Sequence, residues 1–351
     1  MKVGVLTIHG GQNFGAYLQA ETLVEFIGSL GHEVDLIPFR SLEQETRERQ
    51  LQRGNLRSWL QSLRDSRKLR AWESYYRDLL AAKVVTDEQA IQWSDYDAVV
   101  VGSDVVWHYE SPYMGGTKPY FGILPGEGPQ KWISYAASCA WSDPEALPIE
   151  LGQGIQQFDA ISVRDEYTAE LVKQGASRDS TMVLDPTWLP KAENWVSPEE
   201  SEPILAVYNY ARIEPSKVKV IRDYAKQENL KIVALGYRKS WADENLTTLT
   251  PHEWVEKLRT ARCVVTGTFH GTLYSLRLGR PFVVIGNKNI LRKAKAPLEL
   301  TGTLSQLVST PEELKERLEA LSSQSWNLPY QATQDLRDQS WNFLRQHLPS
   351  V

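Results

Sequence analysis

His270 is the residue of this sequence whose type and position best suit proton transfer. Residues 263–266 form a short, apolar, β-branched run typical of a buried strand, and the pattern changes to helical spacing after Gly267 and Thr268. His270 therefore lies where a strand ends and a helix begins, and the N–H groups of a helix start can bind an anion. An imidazole can also move a proton near neutral pH. A purely structural role for this histidine carries equal weight, so both interpretations stay open.

Three neighbours of His270 carry groups that suit a phosphate-bearing ligand. Gly271 leaves room for a ligand near the backbone, and Thr268 and Thr272 each bring a hydroxyl. Thr268 is also a typical residue to cap the following helix. Lys293 follows the next predicted strand and suits a contact with phosphate, although a solvated lysine is the more frequent situation.

Another group of candidate residues follows a predicted strand in the first half of the chain. Residues 97–101 are predicted to form this strand, and Ser103, Asp104 and Trp107 come just after it. Since ligands bind beyond the carboxyl ends of strands in open α/β sheets, all three could face a ligand. Asp104 suits a general base, or equally the cap of a turn.

Arg164 and Asn13 occupy similar positions elsewhere in the first half. Arg164 ends a predicted strand, and its guanidinium can grip a carboxylate or a phosphate with two hydrogen bonds. The alternative is a surface ion pair with Asp165 or Glu166. Asn13 follows two glycines and suits a ligand hydroxyl, although its spacing favours a turn. These glycines do not have the GxGxxG spacing, so no dinucleotide fingerprint is present.

The composition is that of an ordinary globular protein. The 351 residues are 42% hydrophobic and 24% charged, and the formal net charge of -5 argues against a broad basic surface for nucleic acid. No run reaches the roughly 18 apolar residues of a membrane span, and the N-terminus lacks the pattern of a cleaved signal. We therefore expect a cytoplasmic protein, for which peripheral membrane contact and homo-oligomer formation stay open.

The cysteine and histidine content gives no sign of a metal site. Cys139 and Cys263 lie in apolar surroundings, which predicts reduced core thiols and no disulfide framework. The sequence has no CxxC pair and no HExxH motif, and its 6 histidines are scattered. We therefore expect neither a metal nor a bound cofactor.

The order of predicted elements indicates an α/β protein of two Rossmann-like domains that face each other across a cleft. Strands alternate with helices through residues 1–187, with a polar helical insertion at about 41–80. A Pro- and Glu-rich linker at 188–203 leads to a second alternating set at 204–331. A last helix within 332–351 is expected to cross back to the first domain. Its apolar residues are Leu336, Trp341, Phe343 and Leu344.

Six segments of the chain, in order, resemble the polysaccharide pyruvyl transferase family. They are NFGAYLQAETL at 13–23, DAVVVGSDVVW at 97–107, ISYAAS at 133–138, ISVRDEYT at 161–168, VLDPTWL at 183–189 and VVTGTFHGTLYSLRLGRPFVVI at 264–285. The resemblance implies a GT-B-like pair of domains and transfer of a pyruvyl group from phosphoenolpyruvate to sugar hydroxyls, as a ketal, in the synthesis of cell-surface glycans. The acceptor would be a nucleotide-linked, lipid-linked or polysaccharide sugar.

The resemblance assigns expected roles to the candidate residues. His270, at the edge of the cleft, would transfer the proton, with Asp104 as a second candidate. The residues expected to bind the donor are Arg164, Thr268, Gly271, Thr272 and Lys293. Those expected to bind the acceptor are Asn13, Ser103 and Trp107.

The sequence departs from the family pattern just before the motif histidine. Many members carry an arginine two residues before it, where this chain has Thr268, and others carry Asp-Ser where this chain has Gly267 and Thr268. Two other functions therefore stay open. One is a GT-B glycosyltransferase with a nucleotide-sugar donor, and the other is a non-catalytic carbohydrate-binding member of the family.

Overall fold

The computed structural model describes most of the chain and divides it into two compact units. The described residues are 1–9, 13–46, 72, 74–77, 79–80, 83–112, 117–190, 201–286, 288–323, 326 and 332–349. The first unit is Met1–Pro190 with Leu336–Val351, and the second is Lys191–Asp335. Most of the predicted helical insertion (47–71) and most of the predicted linker (191–200) lie outside the described residues.

The first unit is built on a parallel sheet. Its described strands are β1 (Lys2–Leu6), β2 (Glu33–Leu36), β3 (Ala98–Val101), β4 (Trp132–Ala137), β5 (Ala160–Val163) and β6 (Thr181–Met182), in the order β2-β1-β3-β4-β5-β6. Every pairing between them is parallel. The connecting helices are α1 (Phe14–Ser29), α2 (Ile149–Gln156) and α3 (Glu166–Ala176).

Three neighbouring strands of this sheet are buried along their whole length. All residues of β3 are buried, and the same holds for β4 and β5. Continuous burial of β-branched and small residues is what a parallel sheet covered by helices requires. As a consequence, polar side chains that follow these strands emerge together at one edge of the sheet.

The second unit repeats this architecture. Its described strands are β7 (Glu202–Tyr208), β8 (Lys231–Leu235), β9 (Glu244–Leu246), β10 (Ala261–Thr266), β11 (Phe282–Ile285) and β12 (Leu307–Val308), in the order β12-β11-β10-β7-β8-β9. The pairings are again parallel. The helices are α4 (Pro215–Gln227), α5 (Pro251–Thr260), α6 (Phe269–Arg277), α7 (Lys288–Leu300) and α8 (Pro311–Ala320). Two parallel α/β sheets confirm the predicted fold class.

The last helix, α9 (Gln334–His347), packs against the sheet of the first unit. The Ser340 hydroxyl accepts the N–H of Leu184 at 2.9 Å, and the Trp341 indole donates to the carbonyl of Leu189 at 3.1 Å. Phe343 is buried, and its ring centroid lies 6.4 Å from that of Tyr135 in β4. The chain therefore returns to the first unit after it has built the second.

Several elements were absent from the sequence interpretation. These are the helices α2, α3 and α7 and the short strands β9 and β12. The strand expected at residues 182–184 is instead Thr181–Met182. α7 contains Pro297, and such a residue normally argues against a helix interior. Among the described residues, no helix is long and apolar enough to cross a membrane.

The two cysteines behave as the sequence predicts. Cys139 and Cys263 are both buried, and they form no disulfide. Burial raises the pKa of Cys263 to about 12, so its thiol stays protonated and unreactive at neutral pH. The expectation of reduced core thiols is therefore confirmed.

Candidate functional site

His270 is the second residue of α6, directly beyond the carboxyl end of β10. Thr268 is the N-cap of this helix, and its Oγ1 accepts the N–H of Gly271 at 3.0 Å. His270 is buried, with 6% of its surface exposed, and its ring centroid lies 5.2 Å from that of Phe269. His270 is therefore more deeply buried than expected, since the sequence interpretation placed it at the edge of the cleft. Its ring packs beside Phe269.

Threonine hydroxyls hold the turn between β10 and α6. The Thr268 N–H donates to Oγ1 of Thr266 at 3.2 Å, and that hydroxyl donates to the carbonyl of Tyr208 in β7 at 2.7 Å. The fully buried Thr272 hydroxyl donates to the carbonyl of Thr268 at 2.9 Å. The threonine hydroxyls that were expected to bind the donor substrate are therefore already hydrogen-bonded within the turn. These bonds hold the start of α6 in its direction from the sheet.

The lack of a side chain at Gly271 serves the same turn. A Cβ at this position would collide with the hydroxyl oxygens of Thr266 and Thr268. The space beside the Gly271 backbone is therefore filled by the two threonines. This corrects the expectation that the glycine leaves room for a ligand.

Lys293 lies on the next helix of the same unit. It is half-buried in α7, which follows β11, and β11 pairs with β10. α6 and α7 pack against each other. Lys293 and His270 therefore stand on neighbouring helices that both start at the carboxyl edge of the second sheet.

Arg164 is the centre of a buried charge cluster in the first unit. Its Nη1 lies 2.7 Å from Oδ2 of Asp185, and its Nη2 lies 3.2 Å from Oδ1 of Asp104. Burial by itself lowers the pKa of Arg164, but the neighbouring carboxylates, Asp104 and Asp185 first, outweigh it and raise the pKa. The expected alternative partner, Asp165, instead caps α3 by accepting the N–H of Thr168 at 2.8 Å.

The two terminal nitrogens of Arg164 are therefore engaged within the protein. A phosphate or carboxylate ligand would have to compete with two carboxylates already in place. This geometry does not support the expectation that the guanidinium is available for a donor anion. It instead supports a role in which Arg164 holds Asp104.

Asp104 and Ser103 lie at the same edge of the first sheet. Asp104 has a φ of 72°, in the left-handed region, and its backbone pairs with Ala137, the last residue of β4. Only 8% of Asp104 is exposed. Ser103 is fully buried, and its hydroxyl donates to Oδ2 of Asp185 at 3.3 Å. The Ser103 side chain thus belongs to the Arg164 cluster and is enclosed away from any acceptor.

Trp107 and Asn13 take structural positions. Trp107 is fully buried in the core of the first unit, and its indole donates to the carbonyl of Tyr120 at 2.8 Å. It is therefore removed from the acceptor-binding set, because no face of the ring reaches the surface. Asn13 is exposed and caps α1, and its Oδ1 accepts the N–H groups of Gly15 and Ala16 at 3.1 and 3.3 Å.

Asp185 is the member of the charge cluster that the sequence interpretation missed. Its Oδ2 accepts hydrogen bonds from the Arg164 guanidinium and the Ser103 hydroxyl. Its Oδ1 accepts the N–H and the hydroxyl of Thr187 at 3.1 and 2.8 Å. The signal was present in the sequence, because Asp185 follows a predicted strand as Arg164 does. Only the tertiary structure brings the two side chains together.

The residues that the structure describes contain no group of three or more His, Cys, Asp or Glu side chains placed to hold a metal ion. Several side chains at the two sheet edges suit proton transfer or anion binding. These are an imidazole and a lysine in the second unit, and a carboxylate held by an arginine in the first.

Solved structures with a similar fold include UDP-GlcNAc 2-epimerases and Arabidopsis thaliana UGT89C1. A UDP-GlcNAc 2-epimerase from Methanocaldococcus jannaschii, in complex with UDP-GlcNAc and UDP, has a TM-score of 0.58 and 10% identity, covering 99% of each chain. A UDP-GlcNAc 2-epimerase from Neisseria meningitidis bound to UDP-GlcNAc has a TM-score of 0.55 and 10% identity, covering 99% of this chain and 100% of that one. Arabidopsis thaliana UGT89C1, complexed with quercetin, has a TM-score of 0.52 and 12% identity, covering 99% and 98%. These likenesses support the GT-B-like fold.

A family model gives the more specific result. No curated protein matches the chain in sequence. The model described as Polysaccharide pyruvyl transferase matches residues 13–289. This match runs from the start of α1, through the Arg164 cluster, to the start of α7, and it includes His270. The chain therefore belongs to the polysaccharide pyruvyl transferase family.

Proposed function

We propose that this protein transfers a pyruvyl group from phosphoenolpyruvate to two hydroxyls of a sugar and releases phosphate. The observation that carries the proposal is the family match over residues 13–289, which contains His270 at the junction of β10 and α6. The family supplies the type of reaction, and the position of His270 supplies a group suited to it. The donor and the acceptor are both part of the proposal.

The reaction requires the movement of protons at defined atoms. A proton is added to the methylene carbon of phosphoenolpyruvate, which becomes the methyl group and leaves oxocarbenium character on the neighbouring carbon. One sugar hydroxyl attacks this carbon and loses its proton. A second hydroxyl then displaces phosphate, so that a cyclic ketal and inorganic phosphate are formed. The protein must therefore supply a proton donor, a proton acceptor and groups that bind anions.

We assign proton transfer to His270, either as the acid that protonates the methylene carbon or as the base that accepts the hydroxyl proton. The imidazole is the side chain best suited to either role near neutral pH. The start of α6 and Lys293 are the candidates for binding the donor's anionic groups. Asp104, held by Arg164, is the alternative group for a sugar hydroxyl. Asn13 stays a candidate acceptor contact because it is exposed.

The activity is tested by incubating the full chain with phosphoenolpyruvate and a panel of nucleotide-linked, lipid-linked and free sugars. Mass spectrometry would detect a pyruvylated sugar, and phosphate release would be measured in parallel. Turnover of a nucleotide sugar without consumption of phosphoenolpyruvate would replace the proposal with a glycosyltransferase. Sugar binding without turnover of any donor would replace it with a non-catalytic carbohydrate-binding protein.

The role of His270 is tested by His270→Asn. We expect turnover to fall by at least about 100-fold, the lower range for a general acid or base, with a smaller change in the affinity for phosphoenolpyruvate. His252→Asn is the matched control, because His252 is the second residue of α5 and is exposed. Since His270 is buried, circular dichroism and thermal unfolding must accompany the assay. A folded His270→Asn variant with wild-type turnover would assign the proton transfer to another group, first to Asp104.

A further inference from the structure

Lys239 is a buried lysine for which the described part of the chain supplies no carboxylate at ion-pair distance. It follows β8, and only 8% of its surface is exposed. Its Nζ donates to the carbonyl of Ala211 at 2.7 Å, and its backbone N–H is held by Oδ1 of Asn245 at 2.7 Å. Among the described residues of this unit, the other buried lysine is Lys217, which lies 3.3 Å from the carboxylate of Glu214. Lys239 is thus fixed at both ends and has a neutral oxygen as its partner.

A buried ammonium group without a counter-charge is unfavourable for the folded protein. Lysine is almost never fully buried unless it is paired, because the charge loses its hydration. Burial accordingly lowers the pKa of Lys239. One carbonyl uses only one of the three N–H groups of an ammonium. An anionic ligand would supply both the missing charge and further acceptors.

Lys239 lies at the carboxyl edge of the second sheet, near the start of α6. The Ala211 carbonyl accepts the hydrogen bond from Nζ of Lys239, and Ala211 follows β7. β7 lies between β8 and β10 in the sheet. Asn209 connects the two sides of this edge. Its Oδ1 accepts the N–H of Ala211 at 3.1 Å, and its side chain lies 3.0 Å from where a Cβ on Gly267 would stand. The buried cation therefore belongs to the edge at which His270 also stands.

Two aromatic residues lie close in the chain to Ala211 and Lys239. Tyr210, next to Ala211 in the chain, is 61% exposed. Its ring centroid lies 6.4 Å from that of Tyr237 at an interplanar angle of 65°, and Tyr237 precedes Lys239 by two residues. An exposed aromatic ring at a sheet edge offers a flat apolar face to a sugar or a nucleobase. A cation and aromatic rings on the same two segments suit a ligand in which a phosphate is joined to a ring.

We propose that Lys239, Tyr210 and Tyr237 form a subsite for a phosphorylated sugar, with Lys239 holding the phosphate and the tyrosines covering the attached ring. That this sugar is the pyruvyl acceptor rests on the proposed function. Phosphoenolpyruvate fits the subsite less well, because it carries a phosphate but has no ring for the tyrosines. Nucleotide-linked and simple sugar phosphates share this chemistry, and the test separates them.

The test is a titration of the full chain with UDP-glucose, glucose 1-phosphate and glucose in the absence of phosphoenolpyruvate. Lys239→Gln keeps a donor for the Ala211 carbonyl but removes the charge, and it should weaken binding of both phosphorylated ligands by at least about tenfold. Lys239→Arg should restore part of the affinity. Lys226→Gln is the matched control, because Lys226 is exposed on α4. Thermal unfolding would show that each variant is folded.

The Tyr210→Ala variant shows which part of the ligand stacks on the tyrosine ring. Tyr210→Ala should weaken binding of UDP-glucose alone if the ring stacks on the base, and of both phosphorylated ligands if it stacks on the sugar. Unchanged affinity of Lys239→Gln for both phosphorylated ligands would overturn the subsite. In a separate titration with phosphoenolpyruvate alone, loss of its binding by Lys239→Gln, with sugar-phosphate binding retained, would also overturn the subsite. Because no donor is present in the sugar-phosphate titration, Lys239-dependent binding would stand even if no pyruvyl transfer were found.

Discussion

Arg164 illustrates how the role of one residue depends on the groups around it. Its guanidinium is suited to a ligand anion by chemistry, yet it lies between the carboxylates of Asp104 and Asp185 with its side chain 4% exposed. The desolvation of three charged groups is offset only while all three are present. We therefore regard Arg164 as a residue that positions Asp104 and stabilises the first unit.

Removal of Arg164 should consequently affect stability before it affects binding. Arg164→Ala leaves two buried carboxylates without a counter-charge, and we expect the free energy of unfolding to fall by about 3–5 kcal/mol. Lys173→Ala is the control, because Lys173 pairs with Asp179 on the surface, with 66% and 90% of the two side chains exposed. Urea unfolding followed by circular dichroism measures both. An Arg164→Ala variant of full stability that no longer binds phosphoenolpyruvate would restore the donor-binding role.

His9 provides a second prediction, which concerns pH. Burial, and then the charge of Arg40, lowers the pKa of His9 to about 3. Because the folded pKa lies below the unfolded value, the unfolded chain binds the extra proton first, and stability is lost as the pH falls below about 6.5. We expect the contribution of His9 to fall by about 1 kcal/mol between pH 7 and pH 5.5. Urea unfolding of the wild type and of His9→Gln at both pH values measures this. An equal pH dependence in the two proteins would contradict the assignment.

At the scale of the element, the start of α6 is fixed by hydroxyls and by the absence of a side chain at Gly271. The turn depends on Thr268 as the N-cap and on Thr266, which connects it to β7. These hydrogen bonds hold the start of α6 against β7, and they thereby hold His270 in its position.

Gly271→Ala tests this arrangement. The new Cβ would displace the hydroxyls of Thr266 and Thr268, and we expect a loss of about 1–2 kcal/mol in unfolding free energy together with reduced turnover. Gly28→Ala in α1 is the control, since a Cβ there meets nothing within 4 Å, and it should stabilise the protein by about 0.5–1 kcal/mol. Thermal unfolding of both variants compares them directly. A Gly271→Ala protein as stable as Gly28→Ala would show that the turn tolerates the methyl group.

At the scale of the whole molecule, the chain builds two α/β units and completes the first with its last helix. Residues Leu336–Val351 group with Met1–Pro190. Leu344 and Leu348 are fully buried, and the Leu348 carbonyl lies 3.2 Å from Nε2 of His32. The stability of the first unit therefore depends on residues far away in sequence.

Leu344→Ala should destabilise the first unit selectively. A buried leucine replaced by alanine typically costs about 2–5 kcal/mol, because a cavity remains. Hydrogen exchange should become faster in β4 and in residues 181–189, and the amides of β7, β8 and β10 should keep their wild-type rates. Gln346→Ala is the control, since Gln346 is exposed on the same helix. Equal acceleration in both units would mean that they unfold as one.

The sequence alone determined the α/β class, the parallel strands and the junction that contains His270. It did so because apolar β-branched runs, glycines and helical spacing are local properties that survive in any context. Only the tertiary structure decided the pairing of Arg164 with Asp104 and Asp185, the burial of Trp107 and His270, and the neutral partner of the Lys239 ammonium, the Ala211 carbonyl. Each of these features depends on which strand ends become neighbours in a sheet. Residues distant in sequence meet there, and the resulting burial determines whether a charge or a ring is available to a ligand.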